Sequence, residues 1–214
     1  MEAERASKLY AVIEAGEAAV ARLAAALAAA DIASVLIVPA SASALEAAAV
    51  RPLIEVVQKA GAVALIAGDG ELARSLRADG VHLFAARDLR PAYAAARGIL
   101  GQRDIVGVDA GISRHDAMTM AEAGADYIAF GAPSHLKDRD KARARRDGLV
   151  AWWGEIFEIP CVAFDVETPQ EAEALSRAGA DFIAVRLPAE ATPAATRDLM
   201  AEIAAACAVS ATAE

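Results

Sequence analysis

The chain has 214 residues, 57% of them hydrophobic, and a formal net charge of −9. That length suits one small α/β barrel or one doubly wound domain, and the apolar fraction, much of it alanine, supplies a large core. The acidic balance excludes a general nucleic-acid binder, since phosphate contacts need clustered lysine and arginine.

The first ten residues lack the apolar core of a signal peptide. The longest apolar region, 18–38, is interrupted by Arg22 and Asp31, so no membrane span and no membrane partner are expected. Cys161 and Cys207 belong to no CxxC or Cys/His metal pattern and read as buried thiols. Together these features predict a cytoplasmic protein.

One phrase recurs: Ala123-Gly124-Ala125-Asp126-Tyr127-Ile128 and Ala178-Gly179-Ala180-Asp181-Phe182-Ile183, with weaker echoes at Ala78-Asp79-Gly80-Val81 and Ala30-Asp31-Ile32. The Ala-Asp pairs lie 48, 47 and 55 residues apart. A βα unit takes roughly 25 residues, so the phrase marks every second strand of a (β/α)₈ TIM barrel, a single domain over 1–214. In chain order, strands are predicted over 9–13, 35–38, 62–66, 81–84, 105–108, 127–130, 161–164 and 182–185. They are short and apolar, as strands buried on both faces should be. Helices are predicted over 17–30, 43–60, 71–77, 91–100, from 113, from 148, from 168 and over 193–206. Pro52 is a candidate to kink or split the second helix. Ser113 with Asp116 resembles a capping box, and Thr168-Pro169-Gln170-Glu171 is a strong helix start. A polar loop is expected over 132–147.

In a barrel, function collects where strands end. The odd strands finish in acids, Glu14, Asp69, Asp109 and Asp165. If they converge they raise one another's pKa or hold a hard cation such as Mg²⁺. Asp69, Asp109 and Asp165 are therefore the catalytic candidates. The alternative is that each caps the following helix, which weighs most for Asp69, because Glu71 starts a helix at once. Arg186 ends the eighth strand and suits either an ion pair across the mouth or an anionic ligand. His82 lies inside the fourth strand, where a hydrogen-bonded core histidine competes with a ligand-binding one. The segment 134–146 carries six lysines and arginines against the acidic background. It reads as a mobile basic lid for a small anionic or phosphorylated ligand, with Ser134, His135, Lys137 and Lys141 as binding candidates, or as a solvated charged loop. There is no Walker loop and no GxGxxG motif.

In order and spacing, the chain resembles the thiamine phosphate synthase family, which includes the thiazole tautomerases. The resemblance rests on Leu9-Tyr10-Ala11-Val12, on Ala78-Asp79-Gly80-Val81-His82-Leu83, on Ile105-Val106-Gly107-Val108, on Gly124 through Gly131, on Ile159-Pro160-Cys161-Val162-Ala163 and on Ala178-Gly179-Ala180-Asp181. It implies a barrel, a transferase joining a pyrimidine diphosphate to a thiazole phosphate, and Mg²⁺ as cofactor. It also implies that dimers form in such enzymes, and the apolar helix surfaces permit a homodimer here.

The family's reactive residues do not carry over cleanly. The glutamine, basic residue and lysine that follow the second strand in the family are replaced by Pro39-Ala40-Ser41. Of the metal-binding aspartates, Asp69 falls one place late and Asp88 matches only with a one-residue insertion. The serine after the fifth strand is Asp109, and the glycine pair after the seventh is Phe164-Asp165. A tautomerase histidine after Gly131 is Ala132 instead. Thiamine phosphate synthase activity is accordingly expected to be weak or absent, with a non-catalytic protein that binds an anionic ligand as the alternative.

Overall fold

The computed structural model describes residues 6–40, 44–132 and 137–210, without the side chains of 209 and 210. Strands and helices alternate: β1 (Lys8–Ala15), α1 (Ala19–Ala29), β2 (Ile32–Pro39), α2 (Ala47–Lys59), β3 (Val63–Ala67), α3 (Gly70–Leu76), β4 (Gly80–Leu83) and α4 (Leu89–Leu100). Then come β5 (Ile105–Asp109), α5 (Arg114–Glu122), β6 (Tyr127–Phe130), α6 (Arg139–Ile156), β7 (Cys161–Val166), α7 (Pro169–Arg177), β8 (Phe182–Arg186) and α8 (Pro193–Ser210). The strands pair in parallel in chain order, and β8 pairs with β1 to close the barrel. The expected (β/α)₈ architecture is therefore the observed one. No described helix is long and apolar enough to cross a membrane.

Strand side chains alternate between two cores. Leu9, Ala11 and Ile13 face the helices, with Val35, Ile37, Ala64, Ile66 and the inner faces of α1, α2 and α8. Tyr10, Val12, Leu36, Val38, Leu65, Tyr127, Ala129, Val162, Phe164 and Ala184 form the second cluster, inside the barrel. The period of two puts Glu14 and Asp109 on the inward parity, at the carboxyl ends of their strands. Gly107 is required by this packing. A Cβ there would lie 1.9 Å from the Tyr127 ring, which occupies the space a side chain would take.

The recurring Ala-Asp phrase has a structural explanation. At the start of β4, β6 and β8, the aspartate accepts a backbone N–H from the strand before it. Asp79 takes Ala64 N at 2.7 Å, Asp126 takes Val106 N at 2.7 Å and Asp181 takes Cys161 N at 2.8 Å. The carboxylates satisfy donors at the open lower rim, where the ladder has no further partner. Helix starts use the same residue types: Asp69, Ser113, Asp138 and Thr168 accept from the amides of Leu72, Asp116, Lys141 and Glu171.

The structure corrects two expectations. The basic stretch is not a loop running to 147, since α6 begins at Arg139, capped by Asp138. Alanines and arginines are good helix formers, and the charged face meets carboxylates at the start of α7. Pro52 lies inside α2 without splitting it. The expected start of that helix at 43 lies outside the described residues.

If the rim aspartates hold the strands in register, Asp126→Ala strands the Val106 amide and removes the carboxylate 2.5 Å from Arg97, which keeps its bonds to the Gly101 and Asp104 carbonyls. Urea unfolding is then expected to show a loss of about 2 kcal/mol. Asp31→Ala, at an exposed position with no such bond among the described residues, should stay within about 0.5 kcal/mol.

Candidate functional site

The upper mouth of the barrel is shaped by β5, β6 and β7. Asp109 ends β5 and its Oδ1 accepts from Gly111 N at 2.6 Å. Asp165 lies where the β7–β8 register shifts and takes φ 58°, the left-handed conformation that glycine adopts without cost. Its Oδ2 accepts from Ala132 N at 2.9 Å, just beyond β6. A Cβ on Gly131 would lie 3.0 Å from that oxygen, so the glycine leaves room for the carboxylate. Burial pushes the Asp109 carboxyl up to about 6; the Gly111 amide draws it down, and the charge of Asp165 adds to the rise. Asp109 can therefore exchange its proton near pH 6.

Beneath the acids, Phe164 points into the barrel and is 7% exposed. Its ring stacks on His82 with centroids 4.9 Å apart and meets the edge of Tyr10 at 5.4 Å. His82 Nδ1 lies 2.9 Å from the Tyr127 hydroxyl, which lies 3.0 Å from the Tyr10 hydroxyl. Nε2 of His82 is buried without a partner among the described residues. Burial lowers the imidazole pKa to about 3, so the ring is neutral throughout the physiological range.

A clamp on α6 holds this arrangement. Arg146 is fully buried, and its Nη1 donates to the carbonyls of Phe164 at 3.0 Å and Asp165 at 2.9 Å. Its Nε bonds Asp147, and Nη2 lies 3.6 Å from Glu171. The neighbouring arginines are engaged as well. Arg139 donates to Ala132 O at 2.5 Å, Arg143 pairs with Glu167 and Glu171, and Arg145 donates to Ile112 O at 3.1 Å. From Arg139 on, the basic segment is thus a helix bolted to the rim by its arginines, while residues 134–136 of the expected lid lie outside the described residues.

Of the expected site residues, Asp109 and Asp165 come together. Asp69 does not join them, because its carboxylate caps α3. Glu14 is also held apart, paired with Arg186 at 3.2 Å. The converging ring of four acids is therefore not formed. Asp88 is exposed and precedes α4 without a side-chain cap bond. No group of three or more His, Cys, Asp or Glu that could hold a metal occurs among the described residues. His82 sits in the barrel core, and Lys137 and Lys141 are exposed near the start of α6. Ser134 and His135 lie outside the described residues. Sequence reasoning missed Arg146 and the Tyr10–Tyr127 pair. The inward parity of Tyr10 is readable from β1, but the acids that draw the arginines in lie more than 20 residues further on.

Two titrations check the electrostatics. A carboxyl with a raised folded pKa stabilises the fold most below its unfolded value of about 4. For Asp109 that contribution is lost as the pH rises through the folded value of about 6. Asp109→Asn should remove this fall and, at neutral pH, raise the unfolding free energy by roughly 3 kcal/mol, read from urea melts across pH. In the NMR titration of the three histidines, the His82 imidazole should show no protonation above about pH 4.

The comparisons with known proteins agree with this fold. The family model described as thiamine monophosphate synthase matches residues 9–187. The thiamine-phosphate synthase of Erythrobacter litoralis is 44% identical over 143 residues, 65% of this chain and 66% of its own length. That of Rhodospirillum centenum is 40% identical over 136 residues, 63% of this chain and 62% of its own. The chain thus matches about two thirds or less of these relatives. Among solved structures, thiamine phosphate pyrophosphorylase from Pyrococcus furiosus superposes with a TM-score of 0.76 at 21% identity, covering 97% of this chain and 98% of that one, which speaks for the fold. With the family model spanning most of the barrel, the chain belongs to the thiamine monophosphate synthase family.

Proposed function

We propose that this barrel binds a small phosphorylated molecule at its upper mouth and that its capacity for the family's condensation is weak or absent. The observation that carries the reading is the state of the β7 end. Where the family resemblance calls for two glycines to receive a thiazole phosphate, Phe164 fills the interior and Asp165 presents a carboxylate. The Ala132 amide, a donor suited to a phosphate oxygen, is already taken by Asp165. A phosphate placed there would meet a negative charge and a ring fixed by stacking on His82.

The donor set also fails to fit a preformed magnesium cage. Asp69 is used as a cap, Asp88 stands apart, and one oxygen each of Asp109 and Asp165 already accepts an amide hydrogen. Magnesium demands close to octahedral oxygen geometry, and pyrophosphate departure needs charge stabilisation at the leaving oxygens. What the chain's own residues offer instead is a carboxyl at Asp109 that exchanges its proton near pH 6.

A second reading, a fully active synthase, is favoured by the name shared by relatives up to 44% identical. A steady-state assay with hydroxymethylpyrimidine diphosphate, thiazole phosphate and Mg²⁺ separates the two. Our reading predicts turnover at least about 1,000-fold below the typical enzyme rate of about 10 s⁻¹. Turnover at ordinary rates overturns it and establishes the synthase.

A further inference from the structure

One buried cation in this molecule has no counter-charge among the described residues. Arg22, in the first turn of α1, is 4% exposed. Its Nη1 donates to the Ala189 carbonyl at 2.6 Å, while its Nε is buried with no partner and no described carboxylate pairs with it. Buried guanidinium groups are normally paired, because removing the charge from water is costly. Arg22 lines a cleft of about 460 Å³ between the turn from β1 to α1 and the segment that follows β8.

The same cleft receives a helix N-terminus without a cap. Ala18, the residue before α1, has φ 59° and no side chain able to accept an amide. Ala19 N bonds Gly16 O and Arg22 N bonds Ala18 O. The amides of Val20 and Ala21 have no protein acceptor among the described residues. Unpaired amides and the helix dipole together favour an anion. Glu14 borders the cleft and, by its inward parity, also the barrel mouth, where it holds Arg186. The cleft therefore adjoins the mouth on its β8–β1 side, away from Phe164 and Asp165.

We propose that this cleft is the anion site of the protein, with Arg22 and the first-turn amides of α1 taking the phosphate group of the ligand. The proposal deepens the reading above, on which the ligand is phosphorylated. It relocates the phosphate from the obstructed β7 end to the β8–β1 side of the mouth. Glu17 and Glu190 line the same cleft at exposed positions. Their charge opposes free phosphate and so limits its affinity.

Isothermal titration calorimetry with inorganic phosphate tests the site directly. Saturable binding is expected for the natural chain, weakened about tenfold or more by Arg22→Met, since a charged hydrogen bond is lost. Ala18→Glu, which leaves Arg22 in place, should weaken it similarly by putting a carboxylate at the helix start. It keeps the test decisive if the Arg22 variant does not fold, which circular dichroism reports. The double change E17Q/E190Q should tighten binding. Absence of saturable binding by the natural chain, or binding left unchanged by both Arg22→Met and Ala18→Glu, overturns the proposal. Because inorganic phosphate is the probe, the outcome does not depend on whether synthase turnover is found.

Discussion

The guanidinium of Arg146 fixes the working end of this barrel. It reaches from α6 into the core and holds two successive carbonyls, those of Phe164 and Asp165, at the point where β7 leaves regular pairing with β8. With those carbonyls held, the Phe164 ring is directed inward onto His82, and the Asp165 carboxylate is directed across to β6. Charge-assisted bonds of this kind, away from water, are strong and directional. They also offset the cost of a non-glycine residue in the left-handed region, which is about 1 kcal/mol. The neutrality of His82 and the raised pKa of Asp109 both follow from burial beneath and beside this clamp.

The fold is legible in the sequence because its repeated phrase has a mechanical role. A barrel must satisfy the amides at the lower rim of its strands, and Asp79, Asp126 and Asp181 do so by the same bond. Spacing alone reveals the repeat, and the strand period of two places Tyr10, Val12 and Glu14 on one face of β1. Asp31, the faintest echo, makes no such bond among the described residues, in keeping with its weaker likeness. The role of these aspartates as strand ties is not readable, since an acid before a strand is compatible with several uses.

The site is only half legible, for reasons of geometry. Asp109 and Asp165 meet because one lies on the inward parity of β5 and the other is turned in by a left-handed backbone. No sequence pattern announces that turn, although the resemblance places a glycine at position 165. Asp69 stands just past its strand and caps α3, in line with the competing expectation. The basic run misleads because its partners are remote. Glu167 and Glu171 draw Arg139, Arg143 and Arg146 onto the rim, where the run from Arg139 on is helical. Charges that look free in a linear reading are often spent on acids brought near by the fold.

The central claim is that Phe164 and Asp165 close the β7 end of the mouth. Its most direct test is the dissociation constant of a thiazole phosphate, measured by calorimetry for the natural chain and for a variant carrying Phe164→Gly with Asp165→Gly. Opening that end should tighten binding by about tenfold, the scale of one recovered charged hydrogen bond. Equal affinity, or tighter binding by the natural chain, would contradict the account.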